Sequence, residues 1–228
     1  MKNIAMITAR GGSKRIPRKN IKEFMGKPMI AYAIEAALKS DVFNEVMVST
    51  DCTEIAEISK QCGANVPFFR SEKTSSDFAT TFDALEEVIQ EYKKSGNEFD
   101  NLCCIYPCVP FLKAESLKNA FELMQAKSTN AIMPVCKYPV PIEWAMKLEA
   151  GALIPNDRDA QNMRSQDIEP KYFDAGMFYF CKTDLLLEYK CLVPPNTLGY
   201  VIEESECQDI DTNEDWAMAE LKYKFLNK

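Results

Sequence analysis

The order in which strand-like and helix-like stretches follow one another constrains this 228-residue chain more than any single residue does. Asn3 to Thr8 reads as a buried strand, Pro28 to Ser40 as a helix with proline in its first turn, and Glu45 to Thr50 as a second strand. Asp51-Cys52-Thr53-Glu54 has capping-box spacing and opens a helix that runs to about Cys62, where Gly63 stops it. Such a βαβα opening predicts a parallel sheet with right-handed crossovers. Farther on, Phe82, Leu85, Val88, Ile89 and Tyr92 recur at helical spacing within Thr80 to Tyr92, and Leu102 to Tyr106 is apolar enough for a strand covered on both faces. Leu117, Ala120, Phe121 and Met124 mark another helix, Ala131 to Cys136 and Tyr172 to Cys181 two further strands, and Thr212 caps a last helix through about Leu226. Between Tyr138 and Tyr172 the alternation gives way to a proline-interrupted stretch with one strand candidate, Trp144 to Leu148, which reads as an insertion on the core. The expectation is one α/β domain over residues 1–228, with a mostly parallel central sheet flanked by helices and a small insertion at about 138–172.

Directly after the first strand, Arg10, Lys14, Arg15, Arg18, Lys19 and Lys22 stand within thirteen residues that contain no acid. Gly11 and Gly12 let the backbone approach an anion, successive N–H groups can form an anion-binding concavity, and Arg and Lys supply the charge that amides lack. The same segment could be a solvated basic turn, but its place between a buried strand and a helix favours a polyphosphate site. The whole chain carries a formal charge of −7, which argues against a nucleic-acid-coating protein and leaves the segment as a local positive field for a small anion. No apolar run is long enough to span a bilayer, and the first one is interrupted too soon by Arg10 for a signal peptide. Nine cysteines with no metal or redox spacing read as reduced thiols of a cytoplasmic protein. There is no histidine, so acid–base work falls to carboxylates, lysines, tyrosines or a metal-bound oxygen.

Near the other end, Asp209 and Asp211 flank Ile210 and share one face if the segment is extended. Two carboxylates so placed suit Mg²⁺, a hard cation that keeps waters or substrate phosphates in its shell, although a polar loop before a capped helix has the same composition. Gly11-Gly12-Ser13-Lys14 lacks P-loop spacing. A nucleotidyltransferase, which must neutralise β/γ charge and place a metal near the α-phosphate, fits better than a P-loop kinase.

The runs A-R-G-G-S-K-R-I-P-R-K-N, G-K-P-M-I-A-Y-A-I-E-A-A, V-S-T-D, F-R-S-E-K-T-S-S-D-F-A-T-T and D-I-D-T-N-E-D-W, in that order, resemble the CMP-sialic acid synthetase family of cytidylyltransferases along essentially the whole chain. P-V-P-I-E-W-A, R-S-Q-D-I-E-P and Y-F-D-A-G-M-F-Y look most like its pseudaminic acid branch. The resemblance implies a Rossmann-like nucleotidyltransferase fold and transfer of CMP from CTP to a nine-carbon keto-sugar acid, with Mg²⁺ and release of pyrophosphate. It implies triphosphate contacts from Arg10, Gly11, Gly12, Ser13, Lys14 and Lys19, and nucleotide contacts from Asn20, Arg70 and Thr80. Asp209 and Asp211 match the metal carboxylates. A homodimer formed through the insertion is implied as well, and neither nucleic acid nor membrane is an expected partner.

Where sialate-using relatives have Q-P-T-S-P this chain has Tyr106-Pro107-Cys108-Val109-Pro110, and where they have N-G-A-I-Y it has Ala175-Gly176-Met177-Phe178-Tyr179. Both departures fall on the sugar side, with Tyr106 in place of the sugar-side Gln. Arg164 and Gln166 are candidates for the sugar carboxylate, since Arg binds it through two parallel hydrogen bonds; Arg164 could equally be a solvated arginine. In the expected reaction Lys19 and Arg10, assisted by Lys14, stabilise phosphoryl charge, and deprotonation falls to Asp211 or to metal coordination of the attacking hydroxyl. Other sugar acids (N-acetylneuraminate, legionaminate, the eight-carbon keto-deoxy acid) and a non-catalytic nucleotide-binding regulator remain as alternatives.

Overall fold

A computed structural model describes residues 1–227. Its central sheet is built from β1 (Asn3–Thr8), β4 (Glu45–Ser49), β5 (Asn101–Ile105), β6 (Ala131–Lys137), β9 (Tyr172–Asp174), β10 (Phe178–Lys182) and β11 (Thr197–Ile202). These lie in the order β11-β6-β10-β5-β1-β4, with β9 also on β6. β1 pairs parallel with β4 and β5, and β11 parallel with β6; β10 and β9 run the other way. The sheet is therefore mixed: five strands share one direction, and the antiparallel β10 sits between β5 and β6. The expected single strand Tyr172 to Cys181 is in fact two, broken at Gly176, whose φ of +64° turns the chain.

The period of two along β1 sorts the core into two layers. Ala5 and Ile7 face Ile30, Ala33 and Ile34 of α1 (Met29–Lys39), Ile55 and Ala56 of α2 (Thr53–Gln61), and Leu117 and Ala120 of α5 (Ala114–Ala126). Ile4 and Met6 face Leu85 and Val88 of α4 (Thr81–Lys94) and Leu186 of α6 (Thr183–Tyr189). β5 is buried at all five residues, as a strand covered on both faces must be. The short hairpin β2 (Glu23–Phe24) and β3 (Lys27–Pro28) precedes α1, so Pro28 stands at the N-cap rather than inside the first turn.

Two helix starts contrast with each other. Thr80 and Asp83 cap α4 reciprocally, as Thr212 and Asp215 cap α7 (Asn213–Leu226). The box expected at Asp51 does not form: α2 has Cys52 at its N-cap without a side-chain bond, because the Asp51 carboxylate is turned to the loop after β1. Between Tyr138 and Tyr172, β7 (Met146–Glu149) and β8 (Ala152–Pro155) pair only with each other, and residues 142–144 are a 3₁₀ turn, so the strand expected from Trp144 starts two residues later. The one-turn helix α3 (Glu72–Ser75) was not legible in the sequence pattern.

Candidate active site

A third, smaller core decides where the two ends of the chain meet. Ile16, Phe24, Met29, Tyr32 and Phe111 pack against Ile210, Trp216 and Ala219. Phe24 is fully buried and makes edge-on contacts with the rings of Tyr32, Trp216 and Tyr223, at centroid distances of 5.7, 5.4 and 5.6 Å. Burying one such ring stabilises by about 2–3 kcal/mol, and the ring pairs add to that. The cationic loop is thereby clamped against the segment that leads into α7.

On that clamp the expected charges come together. Lys19 Nζ donates to the Ile210 carbonyl at 2.6 Å and lies 3.3 Å from Asp211 Oδ1, while Arg15 holds Asp211 Oδ2 at 2.7 Å. Ile210 is buried, so Asp209 and Asp211 emerge on the opposite side of the strand-like segment. The Cys108 thiol senses the same cluster. Burial is the main reason that it is pushed up to about 12, with Lys19 opposing the rise and Asp209 and Asp211 adding to it. Arg10 and Lys14 share Asp77, Arg10 at 2.9 Å; Lys14 first and Arg10 second hold that carboxyl below the usual range. Arg18, at a left-handed φ of +56°, pairs with Glu54.

The glycines of the loop do different jobs. A Cβ on Gly11 would meet Cys52 Cβ at 3.1 Å, and the Gly11 N–H donates to Asp51 Oδ1 at 2.8 Å. Gly12 faces open space, where an anion can approach its backbone. Ser13 donates its N–H to the Gly11 carbonyl at 3.0 Å, tightening the turn. Asn20 is buried and used internally: its amide N–H donates to the Arg10 carbonyl at 2.9 Å, and its Oδ1 faces the Cys108 thiol at 3.3 Å. It fixes the loop rather than reaching into the cleft. Arg70 binds Ser49 through Nε at 3.0 Å and through its other arm to the carbonyl at 2.9 Å; burial lowers its pKa. The Thr80 hydroxyl is engaged with Asp83 at 2.7 Å.

Tyr106 follows β5 at the same edge, beside the Tyr179 ring at 5.4 Å. Arg164 is elsewhere: it closes a local ion pair with Asp167, at 2.8 and 3.2 Å, within the 138–172 stretch. Gln166 lines a separate cavity of about 280 Å³ with Tyr138, Pro141 and Ile168. Within one chain the structure does not bring these two to Asp211. Arg15, Asp51 and Asp77 were not foreseen as site residues, although all three lie inside the motifs or the cation run that the sequence displays.

All the clustered groups lie beyond the C-terminal ends of β1, β4 and β5, where open α/β sheets take their ligands. A cavity of about 210 Å³ between α4 and α6 is at the opposite edge and has mostly apolar walls, whereas a roomier one of about 510 Å³ is lined by Ile16, Pro17, Arg18, Ile21 and Lys22 of the cationic loop with Asn213. A small pocket of about 30 Å³ lies between Arg10, Gly11, Ser13, Asn20 and Cys52.

A family model described as cytidylyltransferase matches residues 4–206, nearly the whole chain. The chain belongs to the cytidylyltransferase family. Among cytidylyltransferases, the pseudaminic acid cytidylyltransferase of Campylobacter jejuni (strain 81-176) is 38% identical over 98% of this chain and 97% of its own. The CMP-N,N'-diacetyllegionaminic acid synthase of Legionella pneumophila is 32% identical over 96% of this chain and 95% of its own. A solved structure of CMP:2-keto-3-deoxy-manno-octonic acid synthetase complexed with CTP superposes with a TM-score of 0.70 over 100% of this chain and 99% of that one, at 18% identity, and so shares the fold. No helix among the described residues is long and apolar enough to cross a membrane.

Proposed function

We propose that the protein transfers CMP from CTP to the anomeric hydroxyl of pseudaminic acid and releases pyrophosphate. The observation that carries this reading is the meeting of Lys19 and Arg15 with Asp211 across 192 and 196 residues of sequence, at the sheet edge where open α/β folds take their ligands. The choice of sugar rests on the 38% identity over full length with the Campylobacter enzyme.

Arg10, Lys14 and the Gly12 backbone face the space in which the β- and γ-phosphates would lie. The triphosphate exchanges for Asp77 on Arg10 and Lys14, since both cations already hold a carboxylate in the geometry that phosphate oxygens need. Lys19, fixed by the Ile210 carbonyl, stabilises charge on the phosphoryl oxygens as the sugar hydroxyl attacks the α-phosphorus in line. With no histidine in the chain, the Asp211 carboxylate takes the proton from that hydroxyl.

The donor set fits Mg²⁺. Asp209 and Asp211 offer hard oxygens, and no cluster of three or more His, Cys, Asp or Glu stands ready to enclose a metal among the described residues. Two protein carboxylates with the remaining positions left to phosphate oxygens and water is the Mg²⁺ pattern. When bound there, the ion supplies Lewis-acid neutralisation of the phosphates.

The reading extends to assembly. Leu148, Leu153, Met146 and Ile154 of the β7–β8 hairpin are exposed, and two protomers pair through residues 138–172 in the reducing cytoplasm, where all nine thiols stay free. A pyrophosphate-release assay over a panel of keto-sugar acids tests the substrate. Preferred turnover of pseudaminic acid is expected; turnover of N-acetylneuraminate alone would sink the assignment.

A further inference from the structure

Asp211 lies between two cations that are held very differently. Lys19 is 22% exposed and is anchored twice, by the Ile210 carbonyl at 2.6 Å and by Asp211 Oδ1 at 3.3 Å. Arg15 is 67% exposed, and among the described residues its single ion pair is the one to Asp211 Oδ2 at 2.7 Å. The reaction derived above gives Lys19 a task and leaves Arg15 without one.

Asp211 does not need Arg15 to stay in place. Its N–H donates to Asp215 Oδ2 at 3.0 Å, the oxygen that also takes the Thr212 N–H at 2.7 Å, so the cap of α7 fixes the backbone on one side. Lys19 fixes the preceding carbonyl, and the buried Ile210 side chain pins the segment to the aromatic clamp. An ion pair as exposed as that of Arg15 adds little stability, and holding a long side chain in one geometry costs conformational entropy. The fold therefore gives no reason for an arginine at this position.

The chemistry of the site supplies one. A guanidinium and a divalent cation repel each other on one carboxylate oxygen, so one must leave when the other binds. The group without a second anchor is Arg15. It follows Lys14 directly, in the loop whose cations face the triphosphate in the proposed reaction, and a guanidinium matches a pair of phosphate oxygens as well as it matches a carboxylate. We propose that Arg15 is a further catalytic residue, a mobile cation that holds Asp211 Oδ2 in the nucleotide-free protein and passes to the pyrophosphate leaving group when Mg²⁺ takes that oxygen. The inference rests on the assignment of Asp211 as a metal carboxylate and adds an exchange to it. Positive charge leaves the carboxylate as the divalent ion arrives and reappears where negative charge grows on the departing phosphates. Lys19 keeps its carbonyl anchor and stays in place.

The test needs no turnover. Arg15→Gln removes the charge at an exposed position and leaves the fold intact. Mn²⁺, a paramagnetic probe for the Mg²⁺ site, is titrated into the nucleotide-free full-length protein and followed by electron paramagnetic resonance. Arg15→Gln should bind Mn²⁺ about three- to tenfold tighter than the parent, because the competitor for Asp211 is gone. Isothermal titration of pyrophosphate at saturating Mg²⁺ should show the opposite sign, with affinity about tenfold weaker in the variant. Arg15→Lys keeps the charge without the fork, so it should restore the Mn²⁺ affinity of the parent and only part of the pyrophosphate affinity. In an Asp211→Asn background, adding Arg15→Gln should change Mn²⁺ binding by less than about twofold.

Unchanged or weaker Mn²⁺ binding in Arg15→Gln would make Arg15 a fixed clamp on the carboxylate and overturn the exchange. Unchanged pyrophosphate affinity would overturn its contact with the leaving group, and the proposal with it. No Mn²⁺ binding by the parent, or equal binding by the parent and Asp211→Asn, would instead overturn the metal assignment on which the exchange rests.

Discussion

Around the loop that follows β1, five cations are each matched by an acid from elsewhere in the chain: Arg10 and Lys14 by Asp77, Arg15 and Lys19 by Asp211, Arg18 by Glu54. Along the edge made by β5 and β10 the polar groups are instead hydroxyls, ending on one carboxylate, with Tyr179 almost wholly buried. The first region is wet and ionic, the second drier and directional. On the proposed reading a triphosphate carries enough charge to displace Asp77 from the exposed Arg10 and Lys14, so the ionic side tolerates imprecise geometry. A sugar acid offers little charge beyond its carboxylate and must be read through the orientation of single O–H bonds.

The sharpest way to break this comparison is to remove Asp211. Asp211→Ala should lower kcat by about 10³-fold or more, since in the proposed reaction Asp211 serves as proton acceptor and metal carboxylate together. A loss below tenfold, measured as pyrophosphate release, would show that the ionic side is not the catalytic one. Lys19→Ala should cost about 10²-fold in kcat, as expected for one fixed donor to developing oxyanion charge.

Stability reports on the clamp that brings the two ends together. Phe24→Ala should destabilise by about 3–5 kcal/mol, read from chemical denaturation, because the ring has no route to solvent and three ring neighbours. Salt sharpens the contrast between the sides: raising NaCl from about 0.05 to 0.5 M should increase the CTP KM several-fold and leave the sugar-acid KM within about twofold.

The smallest effect concerns pH. The Cys108 thiol is pushed up to about 12 mainly by burial, so its thiolate fraction grows with pH well past the point where an ordinary thiol is fully ionised. The logarithm of its alkylation rate should climb without a plateau from pH 8 to 11, as followed by mass spectrometry. The sign follows from linkage: a raised thiol pKa means that the fold favours the protonated form, and that contribution is full below the unfolded value, declines steadily above it and is lost past about 12.

Most of the sheet was legible because β1, β4, β5 and β6 are short apolar runs separated by helices with clear stripes. The antiparallel β10 was not, since pattern reports burial but not direction, and Tyr172 to Cys181 hides its break in one glycine. Half-exposed β11 carries no clean alternation and went unassigned. For the site, the cation run and the aspartate pair announced themselves by composition. Their internal partners did not: Asp51 looked like a helix cap, and Asp77 is one acid among thirty-four. Arg164 was open to two readings, because an arginine beside polar residues has the same letters whether it faces a ligand or its own Asp167, with which it pairs in this structure.

The claim on which everything else depends is that the glycine–cation turn and the two aspartates grip one nucleotide from opposite sides. Isothermal titration of CTP into the protein and into Asp209→Asn/Asp211→Asn, each with and without Mg²⁺, tests it directly. Mg²⁺ should tighten CTP binding at least about tenfold in the unmodified protein and have no effect in the double variant. The same Mg²⁺ enhancement in both proteins would contradict the account.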